Sequence, residues 1–212
     1  MNGPPTLAEE RVRVDELRGR LGAEHPDTLA AMLDVAEMLW ARGRLDDVRA
    51  IEEHVVDSRR RALGEAHGDT LKALGKLATT LGAQGDLDEA RRLQEHIVAL
   101  APAAWGETGR DTMRALNNLA GTVAAQGDFG GARAVLERAI ETLHRVFGET
   151  DNDTLTALGN LAAMLWQYGE RSEAYWLQAQ LVETTRRAEG EDGSATRAAM
   201  AVLAAMHRDG MP

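Results

Sequence analysis

The chain has 212 residues, a formal net charge of −10, aromatics at only 4% and no cysteine. No disulfide framework, thiolate nucleophile or cysteine-ligated metal site can be built from it, and the acidic balance argues against nucleic acid through phosphate repulsion. No apolar run approaches the ~20 residues of a membrane span, the N-terminus reads as carrying no secretory signal, and the expectation is a cytoplasmic protein.

Residues 1–26 form a short tail and one leading helix over Thr6–Leu21, ended by Gly22. From there a period of 42 residues takes over. Asp-Thr recurs at Asp27-Thr28, Asp69-Thr70, Asp111-Thr112 and Asp153-Thr154, and one glycine at Gly43, Gly85, Gly127 and Gly169. A second glycine recurs at Gly22, Gly64, Gly106, Gly148 and Gly190. A fixed period in the ~20–50 residue range signals repeat units that bury their apolar sides against their neighbours. The units are 27–68, 69–110, 111–152 and 153–194, followed by a trailing half-repeat, 195–212.

In the first unit, Leu29, Leu33, Ala36 and Leu39 keep the helical spacing of three and four, which predicts a helix over Asp27–Arg42. Gly43 breaks it, and a second helix is expected over Leu45–Leu63. The second unit repeats this plan, with Asp86 and Glu89 placed as a capping box. Pro102 lacks an N–H and clashes with the preceding turn, so a kink or early stop is expected near Leu100. In the third unit Gly130-Gly131 weakens the start of the second helix by about 1 kcal/mol per glycine. Trp105 and Phe147, at the linkers between units, read as core. The trailing helix matches a first helix, with Ala199, Met200, Leu203 and Met206 apolar.

Leu116-Asn117-Asn118-Leu119-Ala120, the turn Gly127-Asp128-Phe129, then Ala132 and Ala139, resemble a tetratricopeptide repeat. The 42-residue length and Leu-Gly-x-x-His-Pro-Asp-Thr at Leu21–Thr28 are similar to its kinesin-light-chain and nephrocystin type. Val48 in place of the turn alanine, and Arg171 in place of the aromatic, depart from the pattern. The resemblance implies an all-α fold: a right-handed α-solenoid of antiparallel helix pairs, with the first helices lining a concave side. It also implies a non-enzymatic interaction scaffold. In the family register the inner stripe of the first unit is Ala30, Leu33, Asp34, Glu37 and Trp40, and of the second Lys72, Gly75, Lys76, Thr79 and Gly82. Those of the third and fourth include Arg114, Asn117 and Asn118, and Asn160 and Trp166.

Lys72 and Lys76 are the only lysines of the chain and share one stripe. With Arg114, Asn118 and Asn160 they match by residue type the clamp of carboxylate-binding repeats, and with Asn117 beside them in the groove this implies an extended, acidic peptide as partner. The cations would pair with its carboxylates and the amides with its backbone. The bland alternative is that a lysine pair at i, i+4 is a solvated face. Trp40 and Trp166, at equivalent positions, read either as aromatic anchors or as filler against the adjacent second helix. No histidine pair has helical metal-site spacing, and no phosphate loop or nucleophile elbow appears. No catalytic residue, cofactor or metal is therefore expected. The alternatives to a peptide scaffold are a homo-oligomer stacked head to tail through the terminal half-repeats, or the repeat sensor part of a larger signalling protein.

Overall fold

The computed structural model describes residues 5–209, and over them the chain is helical with short turns. The helices are α1 (Leu7–Leu21), α2 (Pro26–Trp40), α3 (Leu45–Leu63), α4 (Gly68–Gln84) and α5 (Leu87–Trp105). They continue as α6 (Arg110–Ala125), α7 (Phe129–Phe147), α8 (Asn152–Gln167), α9 (Arg171–Glu189) and α10 (Ser194–Arg208). The chain forms two compact units, one ending at Ala104 and the other starting at Trp105.

In the first unit α1 packs on α2, α2 on α3 and α3 on α4. Its core is built from Leu29, Val35 and Leu39 of α2, Val48 and Val55 of α3, and Leu71, Leu74 and Leu81 of α4. In the second unit each helix from α6 to α10 packs on the next, and α6 also meets α8. Leu119, Leu136, Leu143, Leu161 and Leu165 are among the large buried side chains there. Each unit is a stretch of all-α repeat solenoid. The alanines have packing places: Ala90, Ala132 and Ala174, one repeat apart, are fully buried early in the second helix of their pairs. Val48 takes that place in the first repeat and is also buried.

Helix ends explain the periodic markers. Every glycine with positive φ, from Gly22 to Gly190, stands 21 residues after the previous one, and no other residue type among the described residues has positive φ. The turn between helices requires a left-handed residue, which glycine adopts without steric cost. The threonines of the Asp-Thr markers are buried, and three of them lock this turn. Thr28 donates to the Gly22 carbonyl at 2.9 Å, Thr70 to Gly64 at 2.8 Å and Thr112 to Gly106 at 2.7 Å. Thr196 is buried at the equivalent place of a fifth turn, where Ala195 precedes it in place of aspartate. The recurrence of His25 and His67 has the same origin: each caps the next helix, its Nδ1 accepting from the Asp27 or Asp69 amide at 3.2 Å. Replacing Thr70 by valine keeps the shape and removes the bond, at an expected cost of about 1 kcal/mol. Urea unfolding checks this: serine at position 70 should keep most of the stability, and a valine variant equal to wild type would show that the bond contributes nothing.

Two expectations need correction. α5 does not stop near Leu100 but runs through Pro102 to Trp105. A proline so close to a C-terminus removes one amide bond of the last turn, and the helix continues past it for only three residues. Trp105 and Phe147 are half-buried rather than core. They are the last residues of α5 and α7, and the Arg110 guanidinium covers Phe147 at 4.1 Å from its ring centre. The expected α3 limits, Leu45–Leu63, are those observed. α2 ends at Trp40, two residues earlier than expected. On α10, Ala199 and Met206 are buried while Met200 is exposed.

Candidate functional site

The first helix of each pair buries residues at i, i+3 and i+4, and what remains is a polar stripe. In the first unit Asp34, Glu37 and Trp40 of α2 and Lys72, Lys76 and Thr79 of α4 are exposed. In the second unit Arg114 and Asn118 of α6 and Asn160 of α8 are exposed, and Asn117 and Trp166 are half-buried.

The stripe residues bond from one repeat to the next. Lys76 Nζ donates to Glu37 Oε1 at 3.0 Å. Asn160 Nδ2 donates to Asn117 Oδ1 at 3.1 Å. Arg114 Nε donates to Asp153 Oδ1 at 2.8 Å, and the Arg114 guanidinium lies 3.5 Å from Asp111. Trp166 carries the Arg171 guanidinium 4.7 Å above its ring, so the arginine that departs from the family pattern still covers an aromatic.

Around Arg114 a larger ion cluster forms. Arg110 donates to Asp151 at 2.8 Å and to Asp153 at 2.9 Å. Asp151 and Asp153 retain only 14% and 13% of their side-chain exposure. The Arg110 hydrogen bond holds the Asp151 carboxyl below the usual carboxylate value. Burial pushes Asp153 upward, but its bonds to Arg114 and Arg110 together outweigh this and hold it low as well.

The first unit holds a pocket of ≈ 230 Å³ between α2, α3 and α4, lined in part by Trp40, Glu37, Lys76, Val48 and Glu52. Glu52, 6% exposed, accepts a 2.6 Å hydrogen bond from the Thr80 hydroxyl. Burial pushes its carboxyl above the ordinary value, while the Thr80 bond and the nearby Lys76 charge pull it back. Trp40 stands at the rim, 39% exposed, and does not close off the core.

Arg110 and Glu52, and the pairing role of Glu37, escape a sequence reading that looks for cations along single helices. The signal that could have found the pairs is the offset. Lys76–Glu37 and Arg114–Asp153 are both 39 positions apart, Arg61–Glu24 37 and Arg133–Glu173 40. Polar partners about one repeat apart, from 37 positions for Arg61–Glu24 to 43 for Asn117–Asn160, face each other between successive repeats.

No helix among the described residues is long and apolar enough to cross a membrane. Among solved structures the chain is similar to a Podosopora anserina protein described as a kinesin light chain with nearly identical TPR-like repeats. The two share 23% identity over 86% of this chain and 87% of that one, with a TM-score of 0.69. It is also similar to BtubC (BKLC) from P. vanneervenii, at 17% identity over 95% of this chain and 82% of that one, with a TM-score of 0.76. No curated protein matches. The sequence profile of the tetratricopeptide repeat matches residues 28–103 and 111–175. With the 42-residue period, the paired helices and the glycine turns, that match places the chain in a family: it is a member of the tetratricopeptide repeat family.

Proposed function

We propose that the chain is a non-enzymatic protein-interaction scaffold that holds an extended, acidic peptide segment along the exposed stripes of its first helices. The observation that carries this reading is the stripe itself. The same helices that are apolar and buried on one side present Lys72 and Lys76 in one unit, and Arg114, Asn118 and Asn160 in the other, to solvent. Tetratricopeptide repeats serve as protein–protein interaction scaffolds, and the two similar structures carry the same fold.

The electrostatics refine how an acidic segment binds. Lys76 and Arg114 are held by Glu37 and Asp153. An incoming carboxylate therefore exchanges with an internal one and does not meet a bare charge. Such exchange gives selectivity and on-rate more than raw affinity. Asn117 and Asn160 already pair with each other, and a peptide backbone can add to that pair, since each amide keeps donors and acceptors beyond the shared bond.

The test is selection of random twelve-residue peptides on the immobilised full chain, against a variant carrying Lys72→Glu, Lys76→Glu, Arg114→Ala and Asn160→Ala. Far-UV circular dichroism checks that the variant is helical. The wild type should enrich segments rich in Asp and Glu, and the variant should bind them at least about tenfold more weakly. Equal enrichment on both proteins would remove the stripe as the binding face.

A further inference from the structure

We propose that the pocket between α2, α3 and α4 receives one basic side chain, lysine or arginine, of the bound segment, its stem against Leu33, Val48 and Trp40 and its charged head at Glu52. This rests on the reading of the chain as a peptide scaffold and assigns that segment one fixed position.

The argument starts from the repeat position of Glu52. Its equivalents, at intervals of 42 residues, are Glu10, Gln94, Leu136 and Gln178, and all are buried. Packing alone is therefore satisfied by an amide or by leucine. A buried carboxylate is costly unless a cation attends it. Glu10 has its cation on its own helix: Arg13, three residues on, lies 3.1 Å away. The position three residues after Glu52 is Val55, which is fully buried in the core. Lys76, at the pocket rim, bonds to Glu37, and its charge acts on Glu52 from a distance without a bond to it. Glu52 is thus a buried acid whose bond in the structure comes from the neutral Thr80 hydroxyl.

The surroundings fit a cation from outside. The pocket lining carries Glu37 and Glu52 against Lys76, one more negative group than positive. Trp40 offers an aromatic face of the kind that attracts ammonium and guanidinium groups. Leu33 and Val48 suit the apolar stem of a long basic side chain. At ≈ 230 Å³ the pocket is smaller than the ~300–1,000 Å³ of small-molecule and cofactor sites, and it matches one side chain better than a cofactor. Burial raises the Glu52 carboxyl, and a cation beside it would reverse that shift.

The experiment uses the full chain and three probes: the acetylated amides of arginine, norleucine and glutamate. Binding is followed by NMR at the Trp40 indole N–H, assigned with Trp40→Phe, and at the Glu52 side-chain carboxyl. The arginine probe should give saturable shifts at both, and Glu52→Gln should weaken it by about fivefold or more. Because glutamine stands at positions 94 and 178, that variant should fold, which its amide spectrum checks directly. Equal binding of norleucine, preferred binding of glutamate, indifference to Glu52→Gln, or no saturable shift with any probe would each overturn the proposal. The readout is confined to the first unit. Acidic peptides selected normally alongside a silent arginine probe would remove the pocket assignment alone. Arginine binding alongside a selection that ignores the stripe variant would remove the stripe reading and leave the pocket.

Discussion

Replacing Leu81 by alanine should destabilise the first unit by about 3 kcal/mol, within the range for a buried leucine that leaves a cavity behind. Leu81 is 1% exposed near the end of α4, and its equivalents one repeat apart, Leu39, Val123 and Leu165, are buried as well. The position recurs because the last turn of each first helix must fill the angle before the glycine turn. The Asp86 amide donates to the Leu81 carbonyl at 2.9 Å there, which ties the side chain's location to the geometry of the turn. The comparison is Leu63→Ala at the end of α3. That leucine is 46% exposed, and its loss should cost less than about 0.5 kcal/mol. Because cooperativity can break down between repeats, amide hydrogen exchange resolved helix by helix is a better readout than one global midpoint. Protection should fall in α3 and α4 for the Leu81 variant and remain for the Leu63 variant. A Leu81 variant less than about 1 kcal/mol below wild type would mean that the site collapses without a cavity.

Leu63 and Leu81 also show what the sequence can and cannot reveal. Both are leucines near helix ends, and hydrophobicity does not separate them; phase within the 42-residue period does, since Leu81 shares its place with three other buried residues. The same phase makes the helix pairs, the glycine turns and the exposed stripe legible, because each repeats several times and chance errors in one copy are outvoted by the others. Features present once are harder to see. The general penalty of a helical proline suggests a stop at Pro102, whereas its position in the last turn of α5 decides the outcome. Phe147 reads as core because it is aromatic, although a partner 37 residues earlier, Arg110, covers its ring in place of an apolar shell. In the stripe, Lys72 and Lys76 stand out by composition, as the only lysines of the chain. The carboxylates that hold Lys76 and Arg114 lie one repeat away, and their pairing depends on how adjacent helices are offset. Glu52 carries a quieter signal: it is an acid at a position where two other repeats have glutamine and one leucine.

Asp153 allows the repeat and its local chemistry to be separated by one pair of substitutions. Asp27 and Asp153 are the same marker, each in the first turn of a first helix, where a carboxylate interacts favourably with the helix dipole by about 0.3–1 kcal/mol. Their surroundings differ. The Asp27 side chain is 70% exposed, with His25 3.7 Å away. Asp153 is 13% exposed and accepts from both Arg110 and Arg114. Asp27→Asn should therefore cost no more than about 0.5 kcal/mol, the dipole contribution at an exposed site. Asp153→Asn loses the charge that two guanidinium groups share, and should cost about 2 kcal/mol, less than a fully buried pair because both arginines are open to solvent. The difference should depend on pH in one direction. The Asp153 and Asp151 carboxyls are held below their ordinary value, so the folded state binds fewer protons than the unfolded one in acid. Their contribution is complete above the ordinary aspartate value of ~3.9 and is lost as pH falls through the lower, folded-state value. Urea unfolding of wild type and Asp153→Asn at neutral pH and near pH 3 should show a gap that narrows in acid. A gap of equal size at both, or an Asp27 variant as unstable as the Asp153 variant, would mean that the marker aspartates act through the helix terminus alone and that the arginine cluster adds nothing.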